Sequence, residues 1–477
     1  MFDWLIRGAQ LIDGTGAPAR VADVAIQADR VVGIFDTPQG ASARQTINAD
    51  GLVLAPGFID SHTHDDRLLL QPPERHPKLL QGVTTVVTGN CGISLAPLVL
   101  SGDPPAPLDI LGSDAYTFSE FADYLNAVAA QPPATNAACL VGHTTLRVAH
   151  MSDLDRAATA TEAAAMAAAL RRALEAGAFG LSTGVYYPPA RAATADEIVS
   201  VGAALNAANG VLTMHLRDEA DHIADAMREG LEIAHRLKVP LVLSHHKLVG
   251  TPNHGRSAET LAMIDKASRL QSVCIDCYPY AASSTMLLPE RVKSSSDVLI
   301  TWSRADPSAA GKSLFDLARE RGQTPEVTAR SLQPAGAVYF AMHEADVRRI
   351  LAHPLTMIGS DGLAHDERPH PRLWGTFARV LGHYARDENL FSLPTAIHKM
   401  TGLTASRFGL KDRGVIEVGA FADMVLFEPS RVIDRATYAQ PEAESEGIVK
   451  VWVNGVLACG DGKVVSSTAG KLLRRNH

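Results

Sequence analysis

At 477 residues with a net charge of −8, the chain is long enough to bury a large core and carries neither a basic block nor an acidic tail. Its 46% hydrophobic and 20% charged residues are those of an ordinary soluble globular protein. The charge argues against nucleic acid and anionic membrane as partners, and no run of about twenty apolar residues is present to span a bilayer.

The N-terminus, "MFDWLIRGAQ", has an early Asp and neither a basic n-region nor a long apolar stretch, so no signal peptide is expected. Over residues 1–55, "WLIRGAQLIDG", "VADVAIQADRVVGIF" and "TINADGLVLAPG" read as short strands broken by Gly and Asp turns. Over residues 56–414 the texture changes. Eight apolar, strand-like runs recur: "APGFIDSHTH", "TTVVTGNCG", "AACLVGH", "FGLSTGVYYPP", "VLTMHLRDE", "PLVLSHHK", "VCIDCYPY" and "LTMIGSDG". Their tips fall at His62, Cys91, His143, Thr183, His215, His245, Tyr278 and Asp361. Helical stretches separate many of them. The clearest is "TEAAAMAAALRRALEAGAFG", with a Thr and a Glu at its start and Gly177 to stop it. Apolar strands alternating with helices predict an α/β protein whose parallel sheet is covered on both faces. Eight such units predict a closed (β/α)8, TIM-like barrel.

The unequal gap lies at about 279–354, where "SSTMLLPERVKSSSDVLITWS" precedes a mostly helical remainder. An insertion at this face of a barrel is placed to cover an active site. Residues 415–477 return to strands, "GAFADMVLFEP" and "IVKVWVNGVLACGDGKVV", the second a hairpin around Asn454-Gly455. Both ends of the chain are therefore expected to meet in one small β-sandwich domain.

Five cysteines, few, odd in number and irregularly spaced, fit a reducing cytoplasm rather than a disulfide framework. Cys274 and Cys277 form a C-x-x-C, but "VCIDCYPY" reads as a strand and no second pair lies near, so the pair is not expected to bind zinc. Cys91 is different. It sits at a strand tip between Gly89 and Gly92, where the backbone turns tightly. A lone Cys or His in such a place is ordinarily core filler or a hydrogen-bonded rim residue. Here His62, His64, Cys91, His215, His245 and Asp361 all fall at tips that open on one face of a barrel. Imidazole nitrogen, thiolate and carboxylate are the donors zinc accepts, so these six are candidate metal ligands. His246 should point away from its neighbour His245 and pack.

"PGFIDSHTHDD" with a later "GSDG" resembles the amidohydrolase superfamily. More narrowly, "GNCGIS", "HLRDE", "SHHK" and "HPRLWGTFARVLG" resemble the N-acyl-D-amino-acid deacylases, or D-aminoacylases, over essentially the whole chain. The fourth strand carries no lysine, so the carboxylated-lysine pattern of the dihydroorotase and hydantoinase branch fails. The resemblance implies one tightly held zinc on Cys91, His215 and His245. It implies a second, weakly occupied metal site at His62, His64 and Asp361. Three protein ligands leave a position for water, which zinc makes acidic enough to act as hydroxide at neutral pH. Asp361 is then the proton shuttle from that water to the leaving amine. The family grips the substrate α-carboxylate with a Lys, a Tyr and an Arg, matching Lys247, Tyr278 and Arg372, with Ser284 a further candidate. "PERVKSSSDVLITWS" looks like the subgroup acting on N-acyl-D-glutamate, whose Arg for the side-chain carboxylate matches Arg291. The implied activity is zinc-dependent hydrolysis of an N-acyl-D-amino acid in the cytoplasm, with a small-molecule partner. The D-configuration comes from the resemblance alone. An amidohydrolase acting on a cyclic amide or dipeptide, and a non-catalytic barrel used for binding or assembly, are the competing readings. A homo-oligomer stays open.

Overall fold

The computed structural model describes residues 1–36, 42–71, 74–112 and 114–475. Eight parallel strands run through its middle: β1 Phe58–Asp60, β2 Val83–Thr88, β3 Asn136–Cys139 with its continuation Val141–Gly142, β4 Gly180–Gly184, β5 Val211–His215, β6 Leu241–Leu243, β7 Val273–Cys277 and β8 Thr356–Ile358. Every residue in them is buried, as strands covered on both faces must be. Each pairs in parallel with the next in sequence, from β1 through to β8. β8 comes back beside β1, where the Ser61 N–H (3.3 Å) and hydroxyl (2.9 Å) both donate to the Ile358 carbonyl.

Each of the eight strands, or the residue just before it, sends a side chain into one cluster: Ile59, Val87, Ala138, Phe179, Val211, Val242, Cys274 and Met357, closed off by Leu403, Phe408 and Leu410. Cys274 is thus an apolar filler, and burial pushes its thiol up to about 11. The opposite strand faces pack against helices in the main core. Among these, Ala160–Glu175 is capped by Thr159 in a reciprocal capping box with Glu162, two residues before the Thr161 of the quoted run. Gly177, at φ +108°, ends it as expected.

Strands from both chain ends share a nine-stranded sheet, joined where Val53–Pro56 pairs antiparallel with Met424–Phe427. Asn454 and Gly455 turn the C-terminal hairpin with φ +49° and +78°. Within 279–354 the residues after Ser303 are mostly helical, as expected, but a strand lies among them. Ala335–Tyr339 is a strand, paired antiparallel with both Ser283–Met286 and Val298–Ser303. With helices Leu314–Arg321 and Pro325–Leu332 it forms a layer with its own core around Val298, Ile300, Leu314 and Leu332. Helix Glu344–Ala352 packs instead on Ser257–Ser268, β7 and β8, so it belongs to the strand–helix pattern. No helix among the described residues is long and apolar enough to cross a membrane.

His143, at the third strand tip, belongs to a structural knot. Its Nε2 meets Glu197 Oε1 at 3.1 Å, Arg147 pairs with the same oxygen, and the Ala158 N–H donates to Oε2 at 2.8 Å. Burial favours the neutral acid, but His143 and Arg147 outweigh it and hold Glu197 at about 2, against an ordinary value of 4.5. A folded-state value below the unfolded one means stability that is full above about pH 4.5 and lost as pH falls through about 2. Glu197→Gln should cost about 3–5 kcal/mol at pH 7, because Arg147 stays buried without its partner. Unfolding of variant and wild type should converge as pH drops toward 2; a gap that persists unchanged would contradict this account.

Candidate active site

The C-terminal ends of the eight strands carry the chemistry. After β2 the chain turns through Gly89, Asn90, Cys91 and Gly92 with φ of +79°, +54° and +76° at Gly89, Cys91 and Gly92. Both glycines are also required by contact: a Cβ on Gly89 would lie 2.1 Å from the Leu140 carbonyl oxygen, and one on Gly92 2.7 Å from the Gly184 nitrogen. Ser182 of β4 pins the turn from both sides. Its hydroxyl accepts from the Gly92 N–H at 2.9 Å and donates to the Gly89 carbonyl.

Cys91 Sγ then faces His62 Nε2 at 3.2 Å and His245 Nε2 at 3.3 Å. His245 Nε2 is 2.8 Å from His215 Nδ1. His64 Nε2 lies 3.3 Å and His62 Nε2 3.6 Å from Asp361 Oδ1. Three donor sets gather with their atoms within 4.8 Å of one another: His62, His64 and Cys91; Cys91, His215 and His245; His62, His245 and Asp361. Burial alone would raise the Cys91 thiol, but His62 and His245 outweigh it and hold it well below its ordinary value. Burial likewise opposes the Asp361 carboxylate, but Arg372 and His62 hold it well below the usual carboxylate range. His246 points elsewhere: its Nε2 meets Thr260 Oγ1 at 2.8 Å, and burial, with Lys247 beside it, lowers it to about 4.

Two carboxylates that the sequence reading left out organise the histidines. Asp276 lies inside the apolar strand β7, between Cys274 and Cys277. Its Oδ1 is 3.3 Å from His62 Nδ1 and accepts from the His245 backbone N–H at 2.7 Å. Glu219 Oε1 lies 3.2 Å from His245 Nδ1 and 3.6 Å from His215 Nε2. Asp276 thus holds His62 by the ring nitrogen that faces away from the donor cluster, which sets the orientation of that ring. At the outer nitrogen of His245 the Lys247 ammonium stands beside Glu219, 2.7 Å away, and the outer nitrogen of His215 has no hydrogen-bond partner among the described residues. An ionisable residue within a buried strand was the available signal for Asp276; for Glu219 it was the motif "HLRDE", whose last residue it is, four past His215.

The cavity beside this cluster is lined by Lys247, Tyr278, Ser284, Arg291, Asp361 and Tyr187, among others. Lys247 is paired with Glu219 at 2.5 Å. The Ser284 hydroxyl is buried without a partner. Arg372 is not on the wall. It lies fully buried behind Asp361, with Nη1 2.8 Å from Oδ2, and its guanidinium sits 4.5 Å over the Tyr278 ring. Arg291, carried by the insertion, is buried against Tyr339 and Tyr186 at 4.6 and 5.7 Å and donates to Ser283 Oγ at 3.3 Å. No carboxylate among the described residues forms an ion pair with it.

The amidohydrolase family matches residues 45–272 and 315–458. The chain belongs to that family. Within it, the chain sits among the N-acyl-D-amino-acid deacylases. It is 53% identical to a D-aminoacylase of Alcaligenes xylosoxydans xylosoxydans, over 99% of this chain and 98% of that one. An N-acyl-D-aspartate deacylase of the same organism is 54% identical over 95% of this chain and 91% of its own length. The crystal structure of an N-acyl-D-glutamate deacylase from Bordetella bronchiseptica, complexed with zinc and a phosphonate mimic of the tetrahedral intermediate, superposes with a TM-score of 0.96, at 44% identity and with 99% of each chain covered.

Because Glu219 bears on two of the clustered histidines at once, Glu219→Gln should weaken zinc binding about 10–100-fold, the range for lost outer-shell partners of metal-ligating histidines. Competition with a chromophoric chelator measures this. An unchanged affinity would mean that Glu219 serves Lys247 alone.

Proposed function

We propose that this chain hydrolyses N-acyl-D-amino acids to a carboxylate and a free D-amino acid, using zinc held by Cys91, His215 and His245. The observation that carries this reading is the S/N/N donor set itself. One thiolate sulfur and two imidazole nitrogens converge, and the far nitrogen of His245 faces the Glu219 carboxylate. That set fits zinc by softness and by its outer support. When bound, zinc supplies a Lewis acid that activates water and polarises the amide carbonyl.

The chain's own residues do the rest. Asp361, kept ionised by Arg372, takes the proton of the attacking water and delivers it to the departing amine nitrogen. His62 and His64, beside Asp361, form a second and weaker metal site. Lys247, Tyr278 and Ser284 on the cavity wall receive the α-carboxylate. Arg372, the third group expected to grip that carboxylate, pairs with Asp361 and donates to the Ser284 carbonyl of the same wall. The scaffold is read as a closed (β/α)8 barrel over about 56–414. Its supports are the cluster to which every strand contributes and the Ser61–Ile358 contact. A β-sandwich of 1–55 and 415–477 flanks it, and an insertion within about 279–354 covers the site.

For the side chain, the relatives' names span D-aspartate, D-glutamate and D-amino acids generally, so identity does not choose among them. Arg291 does: a buried, cavity-lining guanidinium without an ion pair calls for an anion, which favours an acidic substrate, N-acyl-D-glutamate first.

Zinc-loaded protein should turn over N-acetyl-D-amino acids and spare the L-isomers, and Cys91→Ala should lose both zinc and activity. Full zinc and near-normal turnover in that variant would reduce Cys91 to a packing residue. Arg291→Leu should lower kcat/KM for N-acetyl-D-glutamate about thirtyfold or more, the effect of leaving a buried charge unpaired. N-acetyl-D-leucine should suffer much less. Equal losses on both substrates would give Arg291 a structural role only.

A further inference from the structure

We infer that Lys78 is a positioning residue for Asp361, acting through Asp60 and Ser360; the inference rests on Asp361 being the group that moves the proton. Lys78 does not line the cavity. It is buried just before the turn Leu79–Gln81 that leads into β2. Its ammonium donates to Asp60 Oδ2 at 2.7 Å and to Ser360 Oγ at 2.6 Å, with Asp65 Oδ2 at 3.7 Å. Asp60 is the last residue of β1. Its other oxygen, Oδ1, accepts from the Ser360 N–H at 2.8 Å and from the His62 N–H at 3.3 Å. The Ser360 hydroxyl also accepts from the Gly362 N–H at 3.2 Å. One ammonium and one carboxylate thus engage Ser360, just before Asp361, and the backbone of His62, and the Ser360 hydroxyl passes the hold on to Gly362, just after it.

The placement matters because of what the backbone leaves undone there. Every other pair of adjacent strands, from β1–β2 to β7–β8, shares a ladder of paired residues. β8 and β1 share only the Ser61 contacts to Ile358 and the Asp361 N–H bond to the His62 carbonyl at 2.8 Å. Just beyond, Asp361 stands at φ +48°, a conformation that a non-glycine residue keeps only when its surroundings impose it. The Lys78–Asp60–Ser360 clip supplies that imposition at the one seam where strand pairing does not. A carboxylate that must reach both water and amine tolerates little displacement.

The test compares zinc-loaded Lys78→Met, Lys78→Arg and Ser360→Ala with wild type on an N-acetyl-D-amino acid that wild type hydrolyses. Lys78→Met should lower kcat about 100-fold while KM stays within about threefold, since misplacing a catalytic group by about 1 Å costs that much. Zinc content should not change. Lys78→Arg should recover about tenfold of the loss, and Ser360→Ala should lose about tenfold on its own. In a crystal structure of Lys78→Met, Asp361 should leave the left-handed region. If Lys78→Met does not fold, Ser360→Ala, which strips no charge, carries the same comparison. A folded Lys78→Met with kcat near wild type, an unmoved Asp361, or a loss of kcat that merely follows a loss of zinc would overturn the inference. A wild type that hydrolyses no N-acyl-D-amino acid overturns the deacylase reading instead, and the position of Asp361 in the crystal still decides the role of Lys78.

Discussion

The site depends on three residues held in left-handed backbone: Cys91 at φ +54°, His245 at φ +35° and Asp361 at φ +48°. Parallel strands deliver their ends to one face, but an extended strand continues outward and its side chains alternate between faces. A left-handed residue at the strand end turns the chain aside and aims a side chain at the common centre. Each costs about 1–3 kcal/mol and persists only where its neighbours over-determine it. The neighbours are identifiable. Ser182 clasps the Cys91 turn from both sides, and Asp276 takes the His245 backbone N–H. Around Asp361, the bond to the His62 carbonyl and the contacts of Ser360 do the same. Much of the polar structure beneath the cavity exists to keep these three backbones bent.

The charges around the cavity follow one rule with one exception. Lys247 is matched by Glu219 and Arg372 by Asp361, so these buried ions are neutralised in place. Arg291 is packed against aromatic faces, which offer it only a weak counterpart. The polar wall therefore retains an appetite for negative charge at Arg291.

The strands and their donor-bearing tips were legible in the sequence because fully buried parallel strands leave near-continuous apolar runs, and a His, Cys or Asp at the end of such a run stands out. The residues that hold those donors were not. Asp276 stands between two cysteines in an otherwise apolar strand, and only the meeting of that strand with His62 and the His245 backbone shows its role. Ser182 and Lys78 act on partners far away in the chain, as Glu219 does on His245 and Lys247, and no local periodicity encodes such a meeting. Arg372 follows the family motif, yet whether it meets substrate or Asp361 depends on depth, which one dimension does not record. In the insertion, Ala335–Tyr339 is a short strand lying between helical stretches, and its identity comes from pairing with Ser283–Met286 and Val298–Ser303 rather than from its own pattern.

The insertion's separate core has a consequence of its own. The histidines and Cys91 are fixed by the strands, whereas Arg291 is carried by a layer with its own packing around Val298, Ile300, Leu314 and Leu332, which meets the strand-end loops at Val249, Ala220 and Tyr186. One wall of the cavity can thus be rewritten, by drift or by recombination, while the other stays intact. A protein built in this way can diversify what it admits without renegotiating how it reacts, and grafting that layer between relatives offers a direct route to chimeras of altered selectivity.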